Sequence, residues 1–243
     1  MLFKFREKPV HLDIFTDDLY VYEYFPIVKS SNNYPTWWKN IDKNIENPNI
    51  RGITSNSMKR CAGFLDLFKN SYIVPLWEEL VFNIDSNNNV SHFSSSDSIH
   101  ISSHPPYQRG DFLPENYYTH VKISTPWVAR SNISLNYLSV SPTWYDSNFI
   151  DYFHVPPGIK DYYFTSSMNA HGILRKESGA YFILKAGTPL YHILPITEKK
   201  VKLNCHYDPE EVRKIDSLTS FNRFSHNHGY YKIKKYLKKN NIK

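Results

Sequence analysis

The sequence predicts a mainly β domain, a single β-barrel or sandwich, with a few short helices near its N-terminus and a basic C-terminal tail. Residues 181–196, YFILKAGTPLYHILPI, place two apolar, β-favouring runs around an Ala-Gly-Thr-Pro break, the pattern of strand, tight turn and second strand. Short runs of β-branched and aromatic residues recur along the chain, separated by Pro or Gly at spacings common in barrels and sandwiches. Aromatic residues make up 16% of the chain, and its 19 Tyr suit half-exposed strands and binding surfaces alike.

Taken in order, residues 10–14 and 19–24 read as short strands by their β-branched and aromatic content. Pro35 can occupy the first turn of a short helix over 34–39. Residues 44–57 are polar and broken by Pro48 and Gly52, so they read as loop. Within 57–68, Cys61, Phe64, Leu65 and Phe68 share one face at helical spacing. Strands are predicted at 71–75 and 80–84, followed by a turn over Asp85-Ser86-Asn87-Asn88-Asn89 and a serine-rich connection over 91–103. Further strands are predicted at 120–124, 133–140, 161–165, 180–185, 190–196 and 200–204. Asp208-Pro209-Glu210-Glu211 then supplies an N-cap, a first-turn proline and an acid three residues after the cap, for a helix to about residue 216. Residues 1–216 therefore form one β-rich domain with a loop and helix elaboration over 30–70, and 217–243 form the tail.

The net charge of +6 is unevenly placed. The tail carries +7 with no acid, which leaves −1 for residues 1–216, so the basic character belongs to a terminus and not to the folded body. No run approaches the roughly 18 apolar residues of a membrane span, and the start lacks a signal-peptide pattern, so no membrane association and a cytoplasmic setting are expected. Cys61 and Cys205 lie far apart with no CxxC pair and are expected to be buried thiols. With only 8 Gly, neither a phosphate-cradling loop nor a nucleophile elbow is present.

Eleven histidines raise the question of a metal. His100 and His104 are four apart, but the serines before them and Pro105-Pro106 after them argue against a shared helical face. His11-Leu12-Asp13 matches a local metal-ligand pattern of three residues only, and spacing assigns no metal ligand and no cofactor. His192 lies on the strand face of Leu190 and Leu194 and reads as structural before it reads as chemical. Whether His11, His154, His171, His192 and Asp161 converge is a spatial question.

Adjacent Trp37 and Trp38 must point to different sides, so one is expected in the core and the other at a surface contact. Together with Trp127 they are candidate binding residues, since aromatic side chains line pockets for bases, sugars and peptides. In the tail, Lys232, Lys234, Lys235, Lys238 and Lys239 alternate with Tyr230, Ile233 and Leu237, a pattern suited to docking on a phosphate backbone, on a partner or on the domain itself.

Two resemblances add to this reading. Ala129-Arg130-Ser131-Asn132, then residues 157–164 (PGIKDYYF), then Lys185-Ala186-Gly187-Thr188-Pro189 resemble the motif order of deoxyuridine triphosphatase-type β-barrels. That resemblance implies phosphate contact by Arg130 and a water- and sugar-orienting role for Asp161. Phe164 stands where the family's sugar-stacking Tyr belongs, and the family's glycine-rich C-terminal arm is absent.

The second resemblance covers most of residues 3–206. The segments VYEYFP (21–26), PTWWK (35–39), MKRCAGF (58–64), IVPLW (73–77), QRG (108–110), STPW (124–127) and GTPLYHILPI (187–196) are similar to an uncharacterised family encoded by tailed phages of marine bacteria and cyanobacteria. It implies a phage source, with the host cytoplasm or the virion as setting, but carries no activity.

The leading expectation is a phage-encoded, non-enzymatic protein acting through a protein partner or self-association, in virion assembly or in modulation of a host factor. A nucleotide-binding or nucleotide-hydrolysing barrel is the alternative, and a metal-dependent β-barrel enzyme the second alternative.

Overall fold

The computed structural model describes residues 8–96 and 99–224. The chain opens on β1 (Val10–Thr16), whose Val10, Leu12 and Ile14 alternate into the core. Next come α1 (Leu19–Tyr24), β2 (Val28–Lys29), α2 (Thr36–Asn40), the paired strands β3 (Asn44–Glu46) and β4 (Thr54–Asn56), and α3 (Ala62–Asn70). β5 (Tyr72–Pro75), β6 (Leu80–Ile84), β7 (Val90–Ser94) and β8 (His100–Ser102) follow, and α4 (Pro106–Arg109) leads towards β9 (Tyr118–Ser124). The middle of the chain supplies β10 (Val128–Ser131), β11 (Asn136–Val140), α5 (Asn148–Asp151), β12 (Phe153–His154), β13 (Gly158–Asp161) and β14 (Ala170–Arg175). β15 (Tyr181–Leu184), β16 (Pro189–Pro195), β17 (Val201–Tyr207) and α6 (Pro209–Phe224) complete it.

The protein is mainly β, but the strands sort into separate open sheets, ordered β10-β1-β17, β13-β11-β16-β5-β2, β12-β14-β9-β8, β15-β6-β7 and β3-β4. Each has two edges, so no sheet closes into a barrel among the described residues, which corrects the barrel expectation. The reason lies in residues 181–196. The turn forms, with the Thr188 N–H on the Lys185 carbonyl at 3.0 Å and Gly187 at φ 82°. The strands it joins do not pair with each other. β15 pairs with β6, whereas β16 runs between β11 and β5. This turn therefore hands the chain from one sheet to another. Four of the sheets bury a common core in which Phe82 stacks against Phe182 at 5.1 Å and Phe153 at 5.9 Å.

Several local expectations need correction. Residues 19–24 are helix and not strand. The Asp18 carboxylate accepts the Val21 N–H at 3.1 Å as an N-cap, and only Val21 is buried, so no alternating face exists for a sheet to cover. Residues 44–57 hold a two-stranded hairpin, and 91–103 hold β7 and β8. The strand expected at 161–165 is a turn, in which the Asp161 carbonyl accepts the N–H groups of Phe164 and Thr165. Over 57–68 a 3-10 turn precedes α3, and of the expected face Phe68 is buried while Leu65 and Cys61 are exposed. Cys61 is thus not a buried thiol. Cys205 is half-buried, and burial pushes its thiol up to about 11.

α6 begins at the predicted Asp208 cap, whose carboxylate accepts the Glu211 N–H at 2.9 Å, and runs past residue 216. The five tail lysines, Lys232, Lys234, Lys235, Lys238 and Lys239, lie outside the described residues.

His192 is fully buried on β16, between the rings of Phe68 and Tyr145. Its Nδ1 lies 3.0 Å from Ser30 Oγ, which is 2.7 Å from Ser71 Oγ, and Ser71 Oγ donates to the Leu67 carbonyl at 2.6 Å. With the ring proton on Nδ1 every hydrogen finds an acceptor: Nδ1–H to Ser30, Ser30 to Ser71, Ser71 to Leu67. This chain ties β16 to the start of β5 and the end of α3. Burial pushes the His192 pKa down to about 4, below the unfolded value near 6.5. The native state therefore binds fewer protons in that window, and stability is lost as pH falls from 6.5 towards 4. In a His192→Phe variant the denaturant midpoint should start lower but fall less steeply over this range. Identical slopes in variant and wild type would assign the effect to another group.

Candidate metal centre

The sheet β12-β14-β9-β8 carries the site, and its pairing register explains why. Val121, Ile123, Gly172, Leu174 and Phe153 point inward and are buried. The opposite face is half-exposed and polar. On it His120 lies across from Ile173, which in turn faces His154, while Lys122 lies across from His171. Side chains on neighbouring strands at such register positions stand within reach of each other. His104 comes from the segment after β8, immediately before the Pro105-Pro106 start of α4.

His104, His120 and His171 form a cluster whose ligand-capable nitrogens all lie within 4.8 Å of one another. The His104 and His171 rings are nearly parallel, 4° apart, with centroids separated by 5.8 Å. His120 Nε2 is 3.1 Å from His171 Nδ1, and the backbone N–H of His104 donates to His120 Nδ1 at 3.1 Å. His104 Nδ1 lies 2.6 Å from Gln108 Oε1.

One arrangement of the protons satisfies these contacts. A glutamine Oε1 only accepts, so His104 carries its proton on Nδ1 and its lone pair on Nε2. A backbone N–H only donates, so His120 Nδ1 is an acceptor and the His120 proton sits on Nε2, directed at His171 Nδ1. His171 is pushed down to about 4 by burial first, then by repulsion from Lys160, from His120 and His104 once these are protonated, and from Lys122, and is neutral at physiological pH. Lys160 itself is lowered to about 8, by burial and by Lys122, with its Nζ donating to the Ser167 and Asn169 carbonyls. Two ring nitrogens thus present lone pairs, and a third reaches the same point once its proton moves. Gln108 holds His104 as an outer partner holds a ligating histidine. Beside the cluster, Phe82, Val90, His92, Ile101, Thr119 and His120 are among the residues lining a cavity of about 210 Å³.

The residues singled out from the sequence are spread over other parts of the molecule. Trp38 is buried and Trp37 half-buried, its Nε1 donating to the Trp144 carbonyl at 2.7 Å. Trp127 is 1% exposed, so it belongs to the core and offers no binding surface. Arg130 is ion-paired with Glu211 of α6 and lies over the Phe15 ring at 5.1 Å. Asp161 accepts from Ser134 Oγ at 2.5 Å and from the Tyr163 N–H at 3.0 Å, holding two loops together. Among the histidines questioned for convergence, His171 enters the cluster, His154 lies on its face, and His192 lies in the core.

Sequence reasoning missed His120 and the joint role of His104. The available signal was the alternation of His120, Val121, Lys122 and Ile123, which marks a strand with one polar face. The partner strand β14 was not predicted, and His171 lies 51 residues beyond His120. No protein-family model and no curated protein matches this chain.

Proposed function

We propose that the protein is a transition-metal protein whose centre is formed by His104, His120 and His171, with zinc the best-fitting ion. The observation that carries this reading is the convergence of three ring nitrogens from three separate segments within 4.8 Å. The 3.1 Å between His120 Nε2 and His171 Nδ1 is close to the roughly 3.3 Å that separates two nitrogens on a tetrahedral zinc with metal–nitrogen bonds of about 2.0–2.1 Å. An all-imidazole set suits zinc, copper, iron or nickel and not magnesium or calcium. Three protein ligands leave a fourth position for water or substrate. A zinc ion there would supply Lewis acidity and a bound water acidic enough to act near neutral pH. The chain's own residues orient the site: Gln108 sets the His104 tautomer, and the neutral His171 keeps its lone pair available. This favours metal-dependent chemistry, without the barrel, over the non-enzymatic binding, assembly or host-modulating role that was the leading expectation.

Elemental analysis of protein purified without chelator, followed by cobalt substitution, tests the reading. The expected result is one metal per chain and a cobalt spectrum with the strong visible bands of a tetrahedral site. Metal below background, together with no saturable uptake of zinc or cobalt, would overturn it.

A further inference from the structure

A second concavity lies on another part of the molecule, with a cavity volume of about 390 Å³. Its lining is brought together from three segments. Lys29 comes from the edge strand β2, Lys69 from the last turn of α3, and Lys199 and Lys200 from the connection between β16 and β17. Tyr72 and Val201 also line it, and the Tyr72 hydroxyl donates to the Val201 carbonyl at 3.0 Å, tying β5 to the edge strand β17 of another sheet. Four lysines thus line one concavity together with one acidic residue, Glu198.

Gathering like charges works against folding, and a concave wall of low polarizability concentrates their field. A body near electrical neutrality outside its tail gains no general solubility from such a cluster. An ammonium group is a compact point charge suited to phosphate oxygens, and several of them around a volume typical of small-ligand pockets suit several phosphates at once. Asn70 and Thr197 add uncharged polar groups to the wall, and Tyr72, Pro195 and Val201 add apolar surface.

We propose that this cleft binds a compact polyphosphate anion, held by Lys29, Lys69, Lys199 and Lys200. The phosphates can come from an inorganic polyphosphate or from a nucleoside triphosphate. In the second case the apolar part of the wall takes the nucleoside.

Calorimetric titration of the full chain with tripolyphosphate and with ATP, in low salt with EDTA to silence the histidine cluster, tests the proposal. Saturable binding is expected, weakened about 10-fold or more in a Lys29→Gln, Lys200→Gln double variant. It should also weaken steeply as salt rises from about 50 to about 200 mM. Equal affinity for the two probes assigns the cleft to phosphate alone, and tighter ATP binding assigns it to a nucleotide. A full-length variant with Lys232, Lys234 and Lys235 changed to Gln should bind as wild type does. No saturable binding overturns the proposal, as does binding lost in the tail variant and retained in the cleft variant. Single-stranded DNA that binds while tripolyphosphate does not also overturns it, placing the anion site on an extended surface. His120→Ala is expected to leave these affinities unchanged, so the cleft and the metal centre stand or fall separately.

Discussion

Replacing His120 with Ala is expected to weaken zinc binding by about 100-fold or more, beyond the 10- to 100-fold typical of losing an outer-shell partner. His120 is the middle member of the cluster, with His104 within 3.1 Å through its backbone and His171 within 3.1 Å through its ring. Its side chain lies on the half-exposed face of β9, so the substitution removes no core packing and the melting temperature should hold in the presence of EDTA. Gln108→Ala should weaken binding by about 10-fold, since it frees the His104 tautomer without removing a ligand. His154→Ala, on the same face but outside the cluster, should leave affinity unchanged.

A structural test separates ligation from mere proximity. Zinc on His120 Nε2 must displace the proton directed at His171, and the proton's other place, Nδ1, is taken by the His104 N–H. The hydrogen bond from the His104 N–H to His120 Nδ1 would therefore break on loading, and the His104 amide NMR resonance should shift on zinc addition in wild type and not in His120→Ala. Zinc uptake with an unmoved His104 amide, or undiminished affinity in His120→Ala, would show that the ion sits elsewhere.

How much of this was legible in the sequence differs between elements for physical reasons. β1, β5, β6 and β16 were readable because alternating or continuous apolar runs have no other low-energy arrangement in a chain of this size. Residues 19–24 misled because Tyr and Val favour strands, yet the Asp18 cap and the exposure of Tyr20, Tyr22 and Tyr24 suit a surface helix. The turn after Leu184 was readable from Gly187 and Pro189, but the partner of each flanking strand was not. Pairing β15 with β6 across a hundred residues is decided by the packing of Phe182 on Phe82, which no local pattern encodes. The same holds for the histidine cluster. Nothing near His120 announces His171, because their proximity exists only once β9 and β14 pair antiparallel in one particular register.

β14 is hard to read from the sequence, since Gly172 sits in its middle and glycine weakens a strand pattern. The structure gives that glycine a purpose with a large expected effect. A Cβ at position 172 would fall 2.2 Å from Cζ and 2.4 Å from Cε2 of Phe153, a distance at which something must move. The Phe153 ring cannot swing aside, since it is 1% exposed and packed between Phe82 and Phe149 at 5.9 Å each. Gly172→Ala should therefore destabilise the protein by about 3 kcal/mol, at the upper end of overpacking costs, read as a lower urea midpoint with an unchanged slope.

Removing the obstructing ring identifies the cause. Phe153→Leu alone leaves unfilled space and costs stability, but in the Gly172→Ala background it should recover part of the loss, a coupling of about 1 kcal/mol or more in a double-mutant cycle. Strict additivity of the two changes would refute the steric account. Because His171 and Ile173 flank Gly172, a β14 pushed outward also carries His171 away from His120. Gly172→Ala should weaken zinc binding even where the chain is folded, and Phe153→Leu should restore affinity together with stability.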